Sequence, residues 1–290
     1  MTIELILSKY FGPCYGVSKA FEESIKMDSK TKIFGNIAHN QFLINKLKEN
    51  KNIKIVNDIS EIDEKDLVVI RTHGITLQQL EDLNKKKCKI IDQTCHNVRL
   101  VHKIAEKADQ EQKTLLIVGN PNHPEVVGIA SRCKKTFVLK DIESSKRLLE
   151  NPELDLLSCI VVSQTTFNSK KFENICRLFK NKYKKIKIYN TICGDSIKRK
   201  DEIVKISNFI DLCIVVGDKK SSNSVELFKF SELFCKSIFF EDFQTFNINL
   251  LKGKERVFIT SGASVLKENV ILLLKFINKS FKIRILKSNI

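Results

Sequence analysis

Short apolar runs alternate along the chain with segments whose apolar residues recur at helical spacing, and that alternation predicts an α/β protein. The clearest strand-like runs are Leu67–Arg71, Leu115–Val118, Cys159–Ser163, Leu212–Val216 and Val257–Thr260, with Thr31–Phe34 as a further strand. Helical spacing follows in three places, through Val17, Ala20, Phe21 and Ile25, through Val98, Val101, Ala105 and Ala108, and through Ile197, Val204 and Phe209. Each of these three helices is preceded by an apolar run and then a cysteine in a turn: Cys14, Cys95 and Cys193.

A thiol at a helix N-terminus faces free N–H groups and the positive end of the dipole, which favours a thiolate able to hold metal. The three cysteines lie about a third of the chain apart each time, which predicts three similar lobes offering one ligand each. No C-x-x-C pair is present, so a local zinc motif has no anchor. An iron-sulfur cluster usually takes four cysteines, so three would leave one iron open to a substrate. One buried thiol carries no such meaning, because cysteine is often a core residue. Cys159 and Cys213 lie inside apolar runs and read as core, whereas Cys88, Cys133, Cys176 and Cys235 share no recurring context.

In an open α/β sheet, ligands gather beyond the carboxyl ends of the strands. The residues following the strand runs here are polar and mostly uncharged: Thr72-His73-Gly74, Gly119 through His123-Pro124-Glu125, Gln164-Thr165-Thr166, Lys220 through Ser224, and Ser261 through Ser264. Such hydroxyls, amides and imidazoles are suited to a phosphate-like group. Of five histidines, His73 and His123 end strands and His39 follows the Thr31–Phe34 run. A lone strand-end histidine serves as readily as a hydrogen-bonded turn residue, but three of five at such ends favour a site. His102, within a helix, reads as a surface group. Glu125 is the carboxylate inside these motifs, and a partly desolvated carboxyl there would keep its proton and act as a general acid, with Thr165 as relay. Its position also suits a helix-start glutamate favoured by the dipole, and geometry must decide.

Composition narrows the classes. The chain has 290 residues, 42% hydrophobic and 29% charged, with a net charge of +16. No apolar stretch approaches a membrane span, and no basic-then-apolar leader opens the sequence. An odd count of nine cysteines fits a reducing, cytoplasmic setting. The lysine-rich runs, such as Lys85–Lys87 and Lys198–Lys200, are dispersed with few aromatics between them, so they read as solvated surface rather than a nucleic-acid face. Neither G-x-x-x-x-G-K-[ST] nor a strand-following G-x-G-x-x-G is present, nor G-x-S-x-G, nor H-E-x-x-H.

Taken in order, Cys14, Gly35 through His39-Asn40, Thr72-His73-Gly74, Asp92 through Cys95, Gly119 through Gly128, Gln164 through Thr166, Cys193, Ser221 through Ser224 and Gly262 through Ser264 resemble the LytB-type 4-hydroxy-3-methylbut-2-enyl diphosphate reductase family. The resemblance implies a trefoil of three α/β lobes, 1–95, 96–192 and 193–290, around a 4Fe-4S cluster held by Cys14, Cys95 and Cys193. Cys95 would stand at the boundary of the first lobe and Cys193 at the start of the third. The implied reaction is the last step of the methylerythritol phosphate route to isoprenoids: loss of an allylic hydroxyl with two electrons and two protons, giving isopentenyl and dimethylallyl diphosphates. His39, His73, His123, Ser221, Ser222, Asn223 and Ser264 would bind the diphosphate, Glu125 would supply protons, and Thr165 would lie near the substrate hydroxyl. A ferredoxin or flavodoxin is the implied electron donor, with neither nucleic acid nor membrane as partner.

The chain departs from the family pattern at Pro13, His96, Ser196 through Lys200, and Leu266, positions that bear on the surroundings of the ligands rather than on the ligands themselves. Two other classes stay open on the residues: another enzyme with a three-cysteine cluster, such as a quinolinate-synthase-like lyase, and a basic binding protein without catalysis.

Overall fold

A computed structural model of the protein describes residues 2–27, 30–151, 158–183, 185–242 and 246–288. The described residues form two compact units, one of Met1–Ile25, Ala38–Asn50 and Gly194–Ile290, the other of Lys26–Ile37 and Lys51–Cys193.

The second unit holds two parallel four-stranded sheets. The first comprises β2 (Thr31–Phe34), β3 (Ile53–Val56), β4 (Leu67–Ile70) and β5 (Lys89–Asp92) in the order β3-β2-β4-β5. The second comprises β6 (Thr114–Val118), β7 (Thr136–Leu139), β8 (Cys159–Ser163) and β9 (Lys187–Ile188) in the order β7-β6-β8-β9. In the first unit, β1 (Thr2–Leu7), β10 (Leu212–Val216), β11 (Ser237–Phe240), β12 (Arg256–Ser261) and β13 (Lys282–Lys287) form a parallel sheet in the order β11-β10-β12-β1-β13.

The central strands β6, β8 and β10 are buried at every position, which is why they read in sequence as unbroken apolar runs rather than alternating ones. Their cores are aliphatic, with Leu115, Ile117, Ile160 and Val162 packed on Val101 and Ala105, and Leu212, Ile214 and Val216 packed with Leu5, Ile259 and Leu273.

The three sheets share one strand pattern. Strands β11-β10-β12-β1 stand in the same relation as β3-β2-β4-β5 and β7-β6-β8-β9. In each sheet the order reverses between the two middle strands, β2 and β4, β6 and β8, or β10 and β12. Such a reversal opens a crevice at the carboxyl ends of those strands. The polar motifs follow these six strands.

Strand pairing groups the chain differently from contiguous thirds divided at 95 and 192. The opening strand β1 lies between β12 and β13, with Glu4 opposite Arg256 and Leu5 opposite Val257. Cys14 therefore belongs with the C-terminal sheet, Cys95 with the first sheet of the second unit, and Cys193 with the second. Spacing of the cysteines cannot disclose this, because the repeat is cyclically permuted.

The helices beginning beside the cysteines are α1 (Tyr15–Ile25), α4 (His96–Gln110) and α8 (Gly194–Ile206), the last with a face unlike the apolar stripe expected. Val204 and Phe209 are exposed, while Arg199, Lys200 and Glu202 are buried beside Ile203 and Ile206. Two members of the Lys198–Lys200 run are therefore interior groups rather than solvated surface. No described helix is long and apolar enough to cross a membrane.

Candidate functional site

Each candidate metal cysteine is anchored in the same way. The backbone N–H of Cys14 donates to the carbonyl of Ala263 at 2.9 Å, that of Cys95 to Thr72 at 3.0 Å, and that of Cys193 to Thr165 at 2.8 Å. In every case the accepting residue follows the strand next to the cysteine's own, after β12, β4 and β8. These bonds tie each sulfur-bearing turn to a polar motif of its own sheet. All three cysteines are partly accessible, whereas Cys88, Cys133, Cys159, Cys176 and Cys213 are buried.

The start of α4 supplies N–H donors to the Cys95 sulfur, as expected, but the expected low thiol pKa is not found there. Burial pushes its thiol up, against backbone N–H groups of Asn97 and Val98 that favour the thiolate, and negative charge on Cys193 and Glu125 pushes it further up. Cys193 Sγ accepts a hydrogen bond from Asn97 Nδ2 at 3.2 Å. Half-buried thiols with N–H donors and nearby negative charge suit a cationic iron-sulfur centre, since metal binding offsets both burial and repulsion. The chemistry around Cys95 and Cys193 fits two thiolates of the cluster that the resemblance implies.

The acid site is built on β6 and β8. After β6 the chain turns through Gly119 to His123, the N-cap of helix α5 (Pro124–Ala130), and His123 Nδ1 accepts from the Glu125 N–H at 3.2 Å. With Pro124 opening the helix, Glu125 is held in the first turn and only 1% exposed. Its carboxylate accepts from the backbone N–H of Thr165 at 2.6 Å and from the Thr165 hydroxyl at 2.8 Å. Burial pushes Glu125 up to about 7, although both Thr165 bonds pull it down. The turn geometry accounts for a helix-start glutamate, and burial adds a carboxyl that titrates near neutrality, a property suited to general-acid chemistry.

Beside it, the His73 and His123 rings meet edge to face, with centroids 5.3 Å apart. Thr72 holds the His73 turn by donating from Oγ1 to the carbonyl of Ile37. Gln164 Oε1 accepts from the Asn120 N–H at 3.0 Å, joining the turns after β6 and β8.

In the first unit, Ser221 caps helix α9 (Ser222–Ser231), and Ser264 Oγ lies 3.3 Å from Ser221 Oγ and donates to the carbonyl of His39 at 3.3 Å. Asn223 Oδ1 accepts from the Ala263 N–H at 2.7 Å, which fixes this side chain beside the turn after β12. Ser222, half-buried, stands in the first helical turn. Hydroxyls and an amide at a helix N-terminus are groups suited to an anion. Ser221, Ser264, Asn223 and His39 are thus brought together in one unit, and His73, His123, Glu125, Thr165, Cys95 and Cys193 belong to the other.

Sequence reasoning missed Arg199. Its guanidinium, 2% exposed, donates to the carbonyl of Gly12 at 3.0 Å and of Ser261 at 2.8 Å, and pairs with Asp195 at 2.7 Å. It joins the loops leading to Cys14 and to Ser264. Glu202, one turn on, accepts from Ser8 Oγ at 2.5 Å and Lys9 N at 2.7 Å, and Lys200 pairs with Glu226 at 2.9 Å. The only available signal was the i,i+4 pair Asp195–Arg199, which reads as a solvated helix pair. His102, expected at the surface, is buried on α4. Among the positions departing from the family pattern, His96 is exposed, whereas Ser196 and Leu266 are buried.

A family model described as LytB protein matches residues 5–278. The chain belongs to the LytB family. Among LytB relatives, a protein of Campylobacter lari named 4-hydroxy-3-methylbut-2-enyl diphosphate reductase is 35% identical over 97% of this chain and 100% of that protein. A Fusobacterium nucleatum protein of the same name is 32% identical over 99% of this chain, which spans only 35% of that longer protein. The solved Plasmodium falciparum E-1-hydroxy-2-methyl-but-2-enyl-4-diphosphate reductase superposes with a TM-score of 0.88 at 25% identity, covering 100% of this chain and 93% of its own. Another solved LytB neighbour, described as the terminal enzyme of the non-mevalonate pathway, matches with a TM-score of 0.70 at 29% identity over 96% of this chain and 100% of its own.

Proposed function

We propose that this LytB chain is a 4-hydroxy-3-methylbut-2-enyl diphosphate reductase. It replaces the allylic hydroxyl of that substrate with hydrogen, consuming two electrons and two protons and releasing water with isopentenyl or dimethylallyl diphosphate. The observation that carries this reading is the buried Glu125 carboxyl, raised to about 7 and bonded to Thr165.

Cys14, Cys95 and Cys193 would hold a 4Fe-4S cluster, one cysteine from each sheet, which when bound supplies electrons and an open Lewis-acidic iron. Hydroxide leaves carbon poorly, and Glu125 as general acid lets it depart as water, with Thr165 aligning the carboxyl and the substrate hydroxyl. His39, His73, His123, Ser221, Ser222, Asn223 and Ser264 would bind the diphosphate. Holding that remote group orients the short allylic chain before reaction, so part of the barrier is met as binding entropy. Neutral donors suffice where water is excluded, because hydrogen bonds to charge strengthen there. Ferredoxin or flavodoxin, small acidic carriers, would deliver electrons to this basic chain in a reducing cytoplasm.

Anaerobic reconstitution followed by reduction with a viologen dye tests the proposal. Iron and sulfide near a full cluster per chain, with dye oxidation dependent on the allylic diphosphate and formation of the two isoprenoid diphosphates, are expected. A full cluster with no substrate-dependent dye oxidation would instead favour the lyase reading, and no cluster at all the binding protein.

A further inference from the structure

Two buried side chains given no role so far, His102 and Arg132, sit behind the turns that carry His73 and His123. The His102 imidazole lies on α4, seven residues after Cys95, and is buried. A β-carbon on Gly74 would come within 2.7 Å of its Cε1, and one on Gly128 would stand 3.6 Å from its Nε2. The ring therefore fills the space between the turn after β4 and the middle of α5. Gly74 has φ +72°, so this turn needs glycine for its backbone as well as for the close ring. His102 Nε2 has no hydrogen-bond partner among the described residues, so the ring acts here by shape. Burial and the charge of Arg132 hold His102 down at about 3, which keeps it neutral.

Arg132, just past the end of α5, completes the arrangement. Its Nη1 donates to the carbonyl of Ile75 at 2.9 Å and to the carbonyl of Gly128, while Nε faces Glu106 of α4 at 3.4 Å. Ser131 adds a second tie, accepting from the Leu77 N–H at 3.1 Å and donating to Gly128 at 2.8 Å. Ile75 lies two residues after His73, and Gly128 lies five after His123 and three after Glu125. A buried guanidinium is costly to keep, and a hydrophobic side chain could fill the volume, so one nitrogen, Nη1, joining the carbonyl of Ile75 after β4 to that of Gly128 within α5 points to a geometric role.

We propose that His102 and Arg132 are positioning residues that set the separation between the His73 ring and the His123–Glu125 turn, and thereby the grip on the substrate's diphosphate. The proposal rests on the diphosphate reading given above. Neither residue touches the reacting atoms. The two residues act oppositely, His102 keeping the turn after β4 apart from α5 and Arg132 drawing them together, so loss of either should misplace the histidines.

Arg132→Lys and His102→Leu test this. Lysine keeps the charge but ends one bond short of the Nη1 position that bridges the two carbonyls, and leucine fills the space with a different shape. For each variant, the dissociation constant of inorganic pyrophosphate is measured by calorimetry on cluster-free protein, and KM, kcat, iron content and melting temperature on reconstituted protein. The expected result is a rise of about tenfold in the pyrophosphate constant and in KM, a smaller fall in kcat, and unchanged iron. Val162→Ala, a core truncation in the same unit, is the control for plain destabilisation. Pyrophosphate affinity unchanged in a folded variant overturns the proposal, as does an equal loss of affinity in Val162→Ala. Two independent positions keep the test decisive where one variant does not fold. Wild-type protein that binds no pyrophosphate would overturn the diphosphate reading itself, whereas wild-type binding retained by both variants overturns only the positioning role.

Discussion

The Glu125 carboxylate accepts two hydrogen bonds from one residue, the backbone N–H and the hydroxyl of Thr165, at 2.6 and 2.8 Å. Yet its pKa is pushed up to about 7, because complete burial outweighs both bonds. With these partners the carboxyl is held in one place and titrates near neutrality rather than near 4.5.

Glu125→Gln should keep iron content and pyrophosphate binding but lose turnover by roughly 10²- to 10⁴-fold, the range of general-acid contributions. Stability gives an independent check. A carboxyl whose folded pKa is raised above the unfolded 4.5 stabilises the fold fully below 4.5, and that contribution is lost as pH rises through about 7. Denaturant midpoints of cluster-free wild type should therefore fall between pH 5 and 8 relative to those of Glu125→Gln, by an amount on the order of a few kcal/mol. Parallel curves for the two proteins would refute the buried-acid assignment.

Thr165→Val removes the hydroxyl donor while keeping shape and the backbone bond. With one lowering influence gone, the carboxyl should rise further, so the alkaline limb of the rate profile should move to higher pH. Turnover at pH 6 should also drop, and Thr165→Ser should restore most of it. A limb shifted to lower pH in the valine variant would contradict the assignment.

Cys193→Ala should lower iron and sulfide per chain after anaerobic reconstitution and abolish the cluster's visible absorption, while keeping the backbone bond to Thr165. Cys88→Ala, at a buried thiol, should leave iron unchanged. Colorimetric iron assay distinguishes the two, and equal iron in both proteins would exclude Cys193 as a ligand.

Arg199→Met leaves the carbonyls of Gly12 and Ser261 without their donors in a buried setting. An unsatisfied buried group costs about 1–3 kcal/mol, so the urea midpoint of the cluster-free protein should fall by a comparable total. A midpoint within error of wild type would show that water replaces the guanidinium.

The central strands and the motifs after them were legible because strands covered on both faces are uniformly apolar, and polar residues at their carboxyl ends then stand out. Glu125 and Thr165 could be named from sequence, but the burial that raises the Glu125 pKa, and that favours the proposed acid over a plain helix-start glutamate, comes from the fold. Arg199 and His102 were read as exposed because charge and imidazole are interior only when partners or close packing make them so, and those partners come from distant segments. The placement of β1 escaped for a related reason: no local pattern tells a strand which distant strand it will join.

That placement bears on how the protein is made. Glu4 pairs with Arg256 in register, so a nascent chain emerges with β1 lacking either neighbour until some 250 residues later. During that interval an apolar segment, Ile3 through Leu7, stays available to chaperones or to misassociation. The two four-stranded sheets, whose strands all fall between residues 31 and 188, can close while the ribosome is still working. The sheet that anchors Cys14 is therefore completed only once strands from residues 212–287 are available to join residues 2–7.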